Sequence, residues 1–286
     1  MEKVDVCINV YGKPWQTLCT LKSLMKHSGH LIDKIFLIKE KEQPYNDNID
    51  WIFNYFDNLV IHTPKYYNFL KRKISNLFDN DEILSIRHQF GFEKSNKKFI
   101  FITHNDVLYT GDIIGDMLSK IGDSAGIGEI GQCWNCPLLD EGICNGEKLN
   151  KNFESKLDYN DIMKIVDKYP KKRTYYQCRN LISKENPFPM PECRLNEWAC
   201  LINREITNNE TFPNNSTPFF GLIGLDSGTE WFKSMYLKGF KFINYKNNFT
   251  HGFWADNAGH PTLINKDEYN TSEKTAKKYF EENFKL

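Results

Sequence analysis

Residues 97–117 read KKFIFITHNDVLYTGDIIGDM and contain the strand around which the fold is predicted to form. Phe99–Thr103 is a continuous run of apolar and β-forming residues without alternation, which is typical of a strand covered on both faces in a parallel sheet. His104, Asn105 and Asp106 follow directly, so we expect them at the carboxyl edge, where open α/β sheets bind ligands. A carboxylate there can hold a divalent cation against a diphosphate. Asp106 could equally end the strand and begin a turn.

The elements around this strand predict alternating strands and helices. Strand Val4–Val10, a helix from about Trp15 to Lys26 and strand Asp33–Lys39 form a β–α–β unit, for which a right-handed parallel crossover is expected. Thr110-Gly111-Asp112 is predicted to open the helix after the central strand. The other predicted elements are strand Asn58–His62, helical segment Asn68–Phe92, strand Ser124–Ile130, helix Tyr159–Tyr169, a helix or strand over Arg194–Arg204, and an amphipathic tail helix over Lys266–Leu286.

Length and composition are compatible with this architecture and exclude several functions. The chain has 286 residues, with Lys+Arg and Asp+Glu balanced at 37 each, so a broad nucleic-acid footprint is not expected. No apolar run approaches the roughly 20 residues of a membrane span. Residues 1–12 lack the long apolar stretch of a signal peptide, which predicts a cytoplasmic protein. A homodimer is left open.

Residues 99–114, FIFITHNDVLYTGDII, resemble the strand and metal-binding edge of GT-A glycosyltransferases, especially the large inverting family 2. The resemblance implies a Rossmann-like α/β fold, with a mixed, mostly parallel central sheet flanked by helices and an inserted acceptor-side subdomain. In that family a carboxylate at the end of this strand holds Mn²⁺ or Mg²⁺ on the diphosphate of a nucleotide sugar. The family's usual Asp-x-Asp is His104-Asn105-Asp106 here, so only the last acid is kept. His104 or Asn105 could still reach the nucleotide or a metal-bound water.

The same resemblance divides the chain into functional parts within a single catalytic domain. It implies a nucleotide-sugar-binding half over residues 1–130 and an acceptor-binding half with a Cys-rich insertion over residues 131–255. Residues 256–286 would form the C-terminal helical tail.

The resemblance also implies a donor site for a UDP- or GDP-sugar. Val10, Tyr11 and Pro14 match the loop that cradles the nucleotide base, and Glu40 would lie near the ribose or uracil. Arg87 is a candidate for the diphosphate or base, because its planar guanidinium suits such acceptors. Packing of the loop, and a solvated helix arginine, are the alternatives.

Residues 219–245, FFGLIGLDSGTEWFKSMYLKGFKFINY, resemble the family segment whose Asp at a helix start is the general base. Asp226 is the best match, and Glu230, one turn further on, is the reserve. Leu225 replaces the acid that usually precedes this Asp, and a helix N-cap is the alternative role for Asp226. His251 matches a family His that completes the metal shell or touches the diphosphate, although a lone His is more often structural.

Residues 131–146, GQCWNCPLLDEGICNG, have the shape of a zinc knuckle, since a C-x₂-C pair lets two thiolates reach one tetrahedral ion. The predicted ligands of a structural zinc are Cys133, Cys136, Cys144 and Cys193, with Cys178 and Cys200 as substitutes for the last. Buried free thiols are the alternative. Nearby, Glu197 and Trp198 would suit a sugar site, as an acid for hydroxyls beside an aromatic face. Core packing is the alternative for Trp198.

Together these features predict a metal-dependent, inverting glycosyltransferase that moves a sugar from a nucleotide-sugar donor to a saccharide or other hydroxyl acceptor in polysaccharide biosynthesis. Asp106 and His251 would hold the cation, and Asp226 would act as general base. A retaining enzyme of the same fold and a catalytically silent carbohydrate- or protein-binding module remain open.

Overall fold

The computed structural model describes residues 2–66, 79–146, 157–172, 175, 182–220, 226–254 and 265–284. In chain order, its strands are β1 (Val4–Val10), β2 (Ile32–Lys39), β3 (Leu59–His62), β4 (Phe99–Thr103), β5 (Val107–Tyr109), β6 (Gly126–Ile130), β7 (Leu195–Asn203), β8 (Phe242–Asn244) and β9 (Phe249–His251). Its α-helices are α1 (Pro14–Ser28), α2 (Asn80–Leu84), α3 (Gln89–Lys94), α4 (Ile113–Ile121), α5 (Pro137–Asp140), α6 (Tyr159–Lys168), α7 (Arg204–Thr207), α8 (Thr229–Leu237) and α9 (Lys266–Asn283).

A seven-stranded sheet of order β3-β2-β1-β4-β7-β6-β8 forms the centre of the protein, and β5 and β9 form a separate two-stranded sheet. Strand β7 runs antiparallel to both of its neighbours, whereas the other pairs of the large sheet are parallel. The predicted α/β class, with a mixed and mostly parallel central sheet flanked by helices, is therefore confirmed.

Strand β4 is buried on both faces, as its continuous apolar run predicts. Because side chains alternate along a strand, Phe99 and Phe101 point into the apolar layer shared with α1, α4 and α9. Ile100 and Ile102 point into the opposite layer, which contains α3 and α8. Each face of the strand thus packs on its own helical layer, and the polar residues after Thr103 emerge at the sheet edge.

Two local rules explain the helices on either side of β4. Pro14 occupies the first turn of α1, where its missing N–H would have no partner in the helix. Asp112 caps α4, since its carboxylate accepts a hydrogen bond from the backbone N–H of Gly115 at 3.1 Å. Both helix starts agree with the predictions.

Two segments differ from, or complete, the sequence-based predictions. Of the helix predicted over Asn68–Phe92, residues 67–78 lie outside the described residues, and the remainder is two short helices, α2 and α3, separated by a turn. The segment Arg194–Arg204 resolves to strand β7, all of whose residues are buried between β4 and β6. None of the described helices combines the length and apolar character that crossing a membrane requires.

Candidate active site

The loop after β1 carries a lysine into the carboxyl edge of the sheet. Gly12 and Lys13 both adopt left-handed backbone conformations, with φ of 64° and 55°. A Cβ at Gly12 would collide with the ring of Pro44, so glycine is required there. The side chain of Lys13 is buried, and its Nζ donates to Oδ2 of Asp106 at 2.7 Å. A non-glycine residue in this conformation costs on the order of 1 kcal/mol, which the ion pair helps to offset.

His251 reaches the same carboxylate because strands β5 and β9 pair directly beyond β4. Their antiparallel register places Val107 opposite His251, and the backbone N–H of Gly252 donates to the carbonyl oxygen of Asp106 at 2.9 Å. As a result, Nε2 of His251 lies 3.4 Å from Oδ1 of Asp106. Nδ1 of His104 lies 3.9 Å from the same oxygen.

The charges around Asp106 keep its carboxylate ionised despite burial. Burial alone would raise the pKa of Asp106, but the Lys13 ammonium, followed by His251 and His104, holds that pKa well below the ordinary 3.8. Asp106 is therefore a carboxylate at physiological pH, and the ammonium of Lys13 balances its charge.

These side chains fit a divalent cation. One possible ligand atom from each of His104, Asp106 and His251 lies within 4.8 Å of the others. Oδ1 of Asp106 and Nε2 of His251 are buried and make no well-directed hydrogen bond within the part of the chain that the structure describes. A carboxylate with two imidazoles suits Mn²⁺ or another first-row cation better than Mg²⁺, which prefers an all-oxygen shell.

Glu197, on β7, is the centre of a second charged group. Its carboxylate binds the Arg87 guanidinium, lies 3.1 Å from His88 Nε2 and 3.0 Å from His104 Nε2, and accepts from the Ser227 hydroxyl at 2.6 Å. Burial would raise the pKa of Glu197, but Arg87 and His104 hold it well below the ordinary 4.5. His104 thus links the carboxylates of Asp106 and Glu197.

The environment of Arg87 differs from the solvated helix position considered as an alternative. The arginine lies in the turn between α2 and α3 with a mostly buried side chain, so it is not a solvated helix residue. Its guanidinium is engaged with Glu197, and its contact with a diphosphate or base stays a prediction. Sequence reasoning identified neither the role of Glu197 nor Lys13, because each partner is about a hundred residues away along the chain.

The two candidate bases lie at the start of α8. Asp226 Oδ2 accepts from a guanidinium nitrogen of Arg194 at 2.8 Å. The residue that caps α8 is Gly228, with φ of 80°, so the N-cap role considered for Asp226 is wrong. Asp226 precedes Ser227 of the Glu197 group. Glu230, in the first turn of the helix, has its pKa raised to about 7 by burial.

The residues expected to bind the donor base lie at the same edge as Asp106. Strands β1, β2 and β4 are parallel, so Val10, which ends β1, lies at the same edge as Glu40 and His104, which follow β2 and β4. Tyr11 is half-buried, and Pro14 is buried. Asn105 holds the loop in place, since its amide donates to the carbonyl of Gly12 at 3.1 Å and to Thr17 Oγ1 at 3.2 Å.

Helix α9 braces this loop from outside. The backbone N–H of Lys13 donates to the hydroxyl of Tyr269 at 2.7 Å, and the carboxylate of Glu273 accepts from the N–H groups of Trp15 at 2.8 Å and Gln16 at 3.3 Å. Burial raises the pKa of Glu273 to about 7. The sequence predicted an amphipathic tail helix, and these contacts show that it packs on the start of α1.

The four thiols predicted to bind zinc lie near one another, since Cys136, Cys144 and Cys133 all interact electrostatically with Cys193, but the zinc itself stays a prediction. Cys136, Cys144 and Cys193 are buried in one apolar cluster, and Cys133 is half-buried. Burial raises the pKa of Cys136 to about 12 and that of Cys193 well above 9.0. Within the described ranges, the group of three or more clustered ligand atoms is His104, Asp106 and His251, not a set of thiols. Cys200 is buried in β7, and Cys178 lies outside the described residues.

Glu197 and Trp198 are not the sugar-facing pair that the sequence suggested. Glu197 is occupied by its cationic neighbours, and Trp198 is 4% exposed. Its indole stacks on His251, with ring centroids 4.5 Å apart and planes inclined by 12°. Its Nε1 donates to Glu129 at 3.1 Å. Packing is therefore the role that the structure gives to Trp198.

No protein-family profile and no curated protein sequence matches the chain. Among solved structures, the mannosyltransferase PcManGT from Pyrobaculum calidifontis, in complex with GDP-Man and Mn²⁺, aligns over 99% of this chain and 76% of its own, with 10% identity and a TM-score of 0.46. The bifunctional glycosyltransferase WbbM aligns over 97% and 44%, with 10% identity and a TM-score of 0.45. S. aureus TarS 1-349, in complex with UDP-GlcNAc, aligns over 45% and 34%, with 12% identity and a TM-score of 0.32.

Proposed function

We propose that the chain is a metal-dependent, inverting glycosyltransferase that uses a nucleotide-sugar donor and a saccharide or other hydroxyl acceptor. One observation carries the proposal. At the carboxyl edge of β4, Asp106 keeps one buried oxygen without a directed hydrogen bond, 3.4 Å from the imidazole of His251. A fold has little reason to leave a buried anion half-satisfied unless a ligand completes it.

His104, Asp106 and His251 would hold the cation. When bound, Mn²⁺ or Mg²⁺ would offset the negative charge that develops on the leaving diphosphate. Lys13 donates to Oδ2 of Asp106, which leaves Oδ1 for the ion. The loop of Tyr11 and Pro14 would bind the base of a UDP- or GDP-sugar.

Asp226 is the proposed general base. An inverting transfer needs a carboxylate that removes the proton of the acceptor hydroxyl as that oxygen attacks the anomeric carbon from the face opposite the leaving group. Arg194 orients Asp226 through its 2.8 Å contact. In a retaining enzyme Asp226 would instead position the substrate, and the anomeric configuration of the product, measured by NMR, separates the two mechanisms.

Calorimetry with UDP and with GDP, each with and without Mn²⁺, tests the proposal without knowledge of the sugar. We expect one nucleotide to bind and its affinity to rise at least about tenfold with Mn²⁺. The gain should vanish in Asp106→Asn and persist in Asp123→Asn, a change of an exposed aspartate. If neither nucleotide bound under any of these conditions, the chain would be a silent module.

A further inference from the structure

Trp134 is the most exposed of the large hydrophobic side chains in the described part of the protein, at 56%. Its ring lies nearly parallel to that of Trp198, with centroids 6.2 Å apart and planes inclined by 18°. Trp198 in turn stacks on His251. These three rings, called here the aromatic stack, lead from the candidate cation site to the surface.

The exposed indole is held in place by its backbone. Trp134 is the middle residue of a single helical turn, Cys133–Asn135, closed by a hydrogen bond from the N–H of Cys136 to the carbonyl of Cys133 at 2.8 Å. The carbonyl of Trp134 itself accepts from Lys172 Nζ at 2.5 Å. Because this backbone is held and the ring packs on Trp198 before any ligand arrives, binding to the ring loses little conformational entropy.

The surroundings of the aromatic stack favour a ligand that is apolar on one face and polar at its rim. Glu129 accepts from the indole N–H of Trp198, and Lys246 Nζ lies 3.7 Å from Glu129. The charges of both residues also act on the thiol of Cys133, which places them near the turn that carries Trp134. A pyranose has this character, because its C–H groups form an apolar face and its hydroxyls project around the edge. An aliphatic ligand would gain nothing from the charged pair.

We propose that Trp134 is the platform on which a pyranose ring of a saccharide acceptor stacks, with Trp198 as a positioning residue behind it. That the saccharide is the acceptor rests on the proposed function, whereas the binding of a saccharide does not. The stack begins at His251, so a sugar on Trp134 is bound on the side of the cation site formed by the turn Cys133–Asn135 and strand β7. The platform would bind sugars with a continuous apolar face more tightly than others.

Saturation-transfer NMR tests the platform without any need for turnover. The probes are cellotetraose and chitotetraose, whose β-linked rings present apolar faces. We expect saturable transfer to at least one of them with the wild-type chain, a loss of affinity of at least about tenfold in Trp134→Ala, and partial retention in Trp134→Tyr. Leu139→Ala, which trims another exposed apolar side chain of the same segment, is the control and should bind as the wild type does.

Equal binding by Trp134→Ala and the wild type, or no binding of either probe by the wild type, would overturn the platform. Nucleotide calorimetry on the same variants separates this failure from that of the proposed function. If the nucleotide binds normally but saccharide binding ignores Trp134, the platform falls and the transferase stands. If saccharides bind through Trp134 but no nucleotide binds, the transferase falls and the chain is a carbohydrate-binding module.

Discussion

Asp106, in the turn after β4, and Glu197, on the neighbouring strand β7, are two buried carboxylates linked by His104, yet their oxygens differ in how many hydrogen bonds they accept. Glu197 makes directed hydrogen bonds on both oxygens, with Arg87 on one and with His88 and Ser227 on the other. Asp106 gives Oδ2 to Lys13 and leaves Oδ1 without a directed hydrogen bond.

Ionisation does not distinguish the two groups, because neighbouring cations hold both pKa values well below their ordinary range. The two groups differ in whether each carboxylate oxygen accepts a directed hydrogen bond. A buried carboxylate with hydrogen bonds on both oxygens stabilises the fold, whereas one with an oxygen that accepts no directed hydrogen bond can take a ligand there. We therefore propose a structural role for Glu197 and ligand binding for Asp106.

The largest expected effect is on activity, in Asp106→Asn. The amide has the same shape but neither the charge nor the basicity of a cation ligand, so the release of UDP or GDP from the donor sugar should fall by about 10⁴-fold, or ~5 kcal/mol. Phosphate-coupled assays of nucleotide release measure this, and circular dichroism checks that the fold is intact. Near-normal release in a folded variant would remove Asp106 from the mechanism.

The next effect is on stability, in Glu197→Gln. Loss of the charge leaves the largely buried guanidinium of Arg87 without its counter-ion, and breaking a buried pair in this way costs about 4 kcal/mol. Urea unfolding should report that loss. Glu205→Gln, which breaks an exposed pair with Lys98, should cost less than about 1 kcal/mol. If both variants lost the same small amount, the structural role of Glu197 would be wrong.

Sequence patterns predicted the position of Asp106, because that position depends on local rules. The continuous run of β4 fixes Asp106 at the end of a buried strand, and Pro14 with the apolar spacing of α1 predicts the helix that follows β1. His251 was matched to Asp106 by resemblance, and the pairing of β5 with β9 explains their proximity.

The surroundings of Glu197 could not be predicted from local patterns, because they depend on contacts between residues that are far apart in the sequence. Residues 194–204 were ambiguous, since a strand buried on both faces has no period that separates it from a helix. With β7 unassigned, Glu197 could not be placed beside Arg87 and His104. Tyr269 meets the loop at Lys13 across 256 residues, which no local pattern encodes.

A third buried carboxylate, Glu273, sharpens the comparison because it binds backbone N–H groups rather than a cation. Asp47 and the Cys19 thiol also face it, and burial raises its pKa to about 7 from an ordinary 4.5. The folded protein therefore favours the protonated acid. Its contribution to stability is complete below pH about 4.5 and is lost as pH rises through about 7.

In Glu273→Gln this loss should be absent. Urea unfolding at several values between pH 5 and pH 8 should show the wild type losing ~3 kcal/mol relative to the variant as pH rises. Glu282→Gln, an exposed change on the same helix, should track the wild type. A difference between wild type and Glu273→Gln that did not change with pH would contradict the assigned protonation.

The smallest expected effect tests whether Lys13 competes with the cation that Asp106 would bind. Lys13 Nζ lies 2.7 Å from Oδ2, so its positive charge repels a cation at Oδ1 of the same carboxylate. Lys13→Met removes that repulsion and leaves Asp106 without its partner, so Mn²⁺ measured by electron paramagnetic resonance should bind about tenfold tighter, or ~1.4 kcal/mol. Lys34→Met, an exposed lysine, should change nothing. Weaker Mn²⁺ binding in Lys13→Met would contradict this, because it would mean that the ammonium orients the carboxylate for its ligand. Asp106 would then depend on Lys13 for cation binding as closely as Glu197 depends on Arg87 for its structural role.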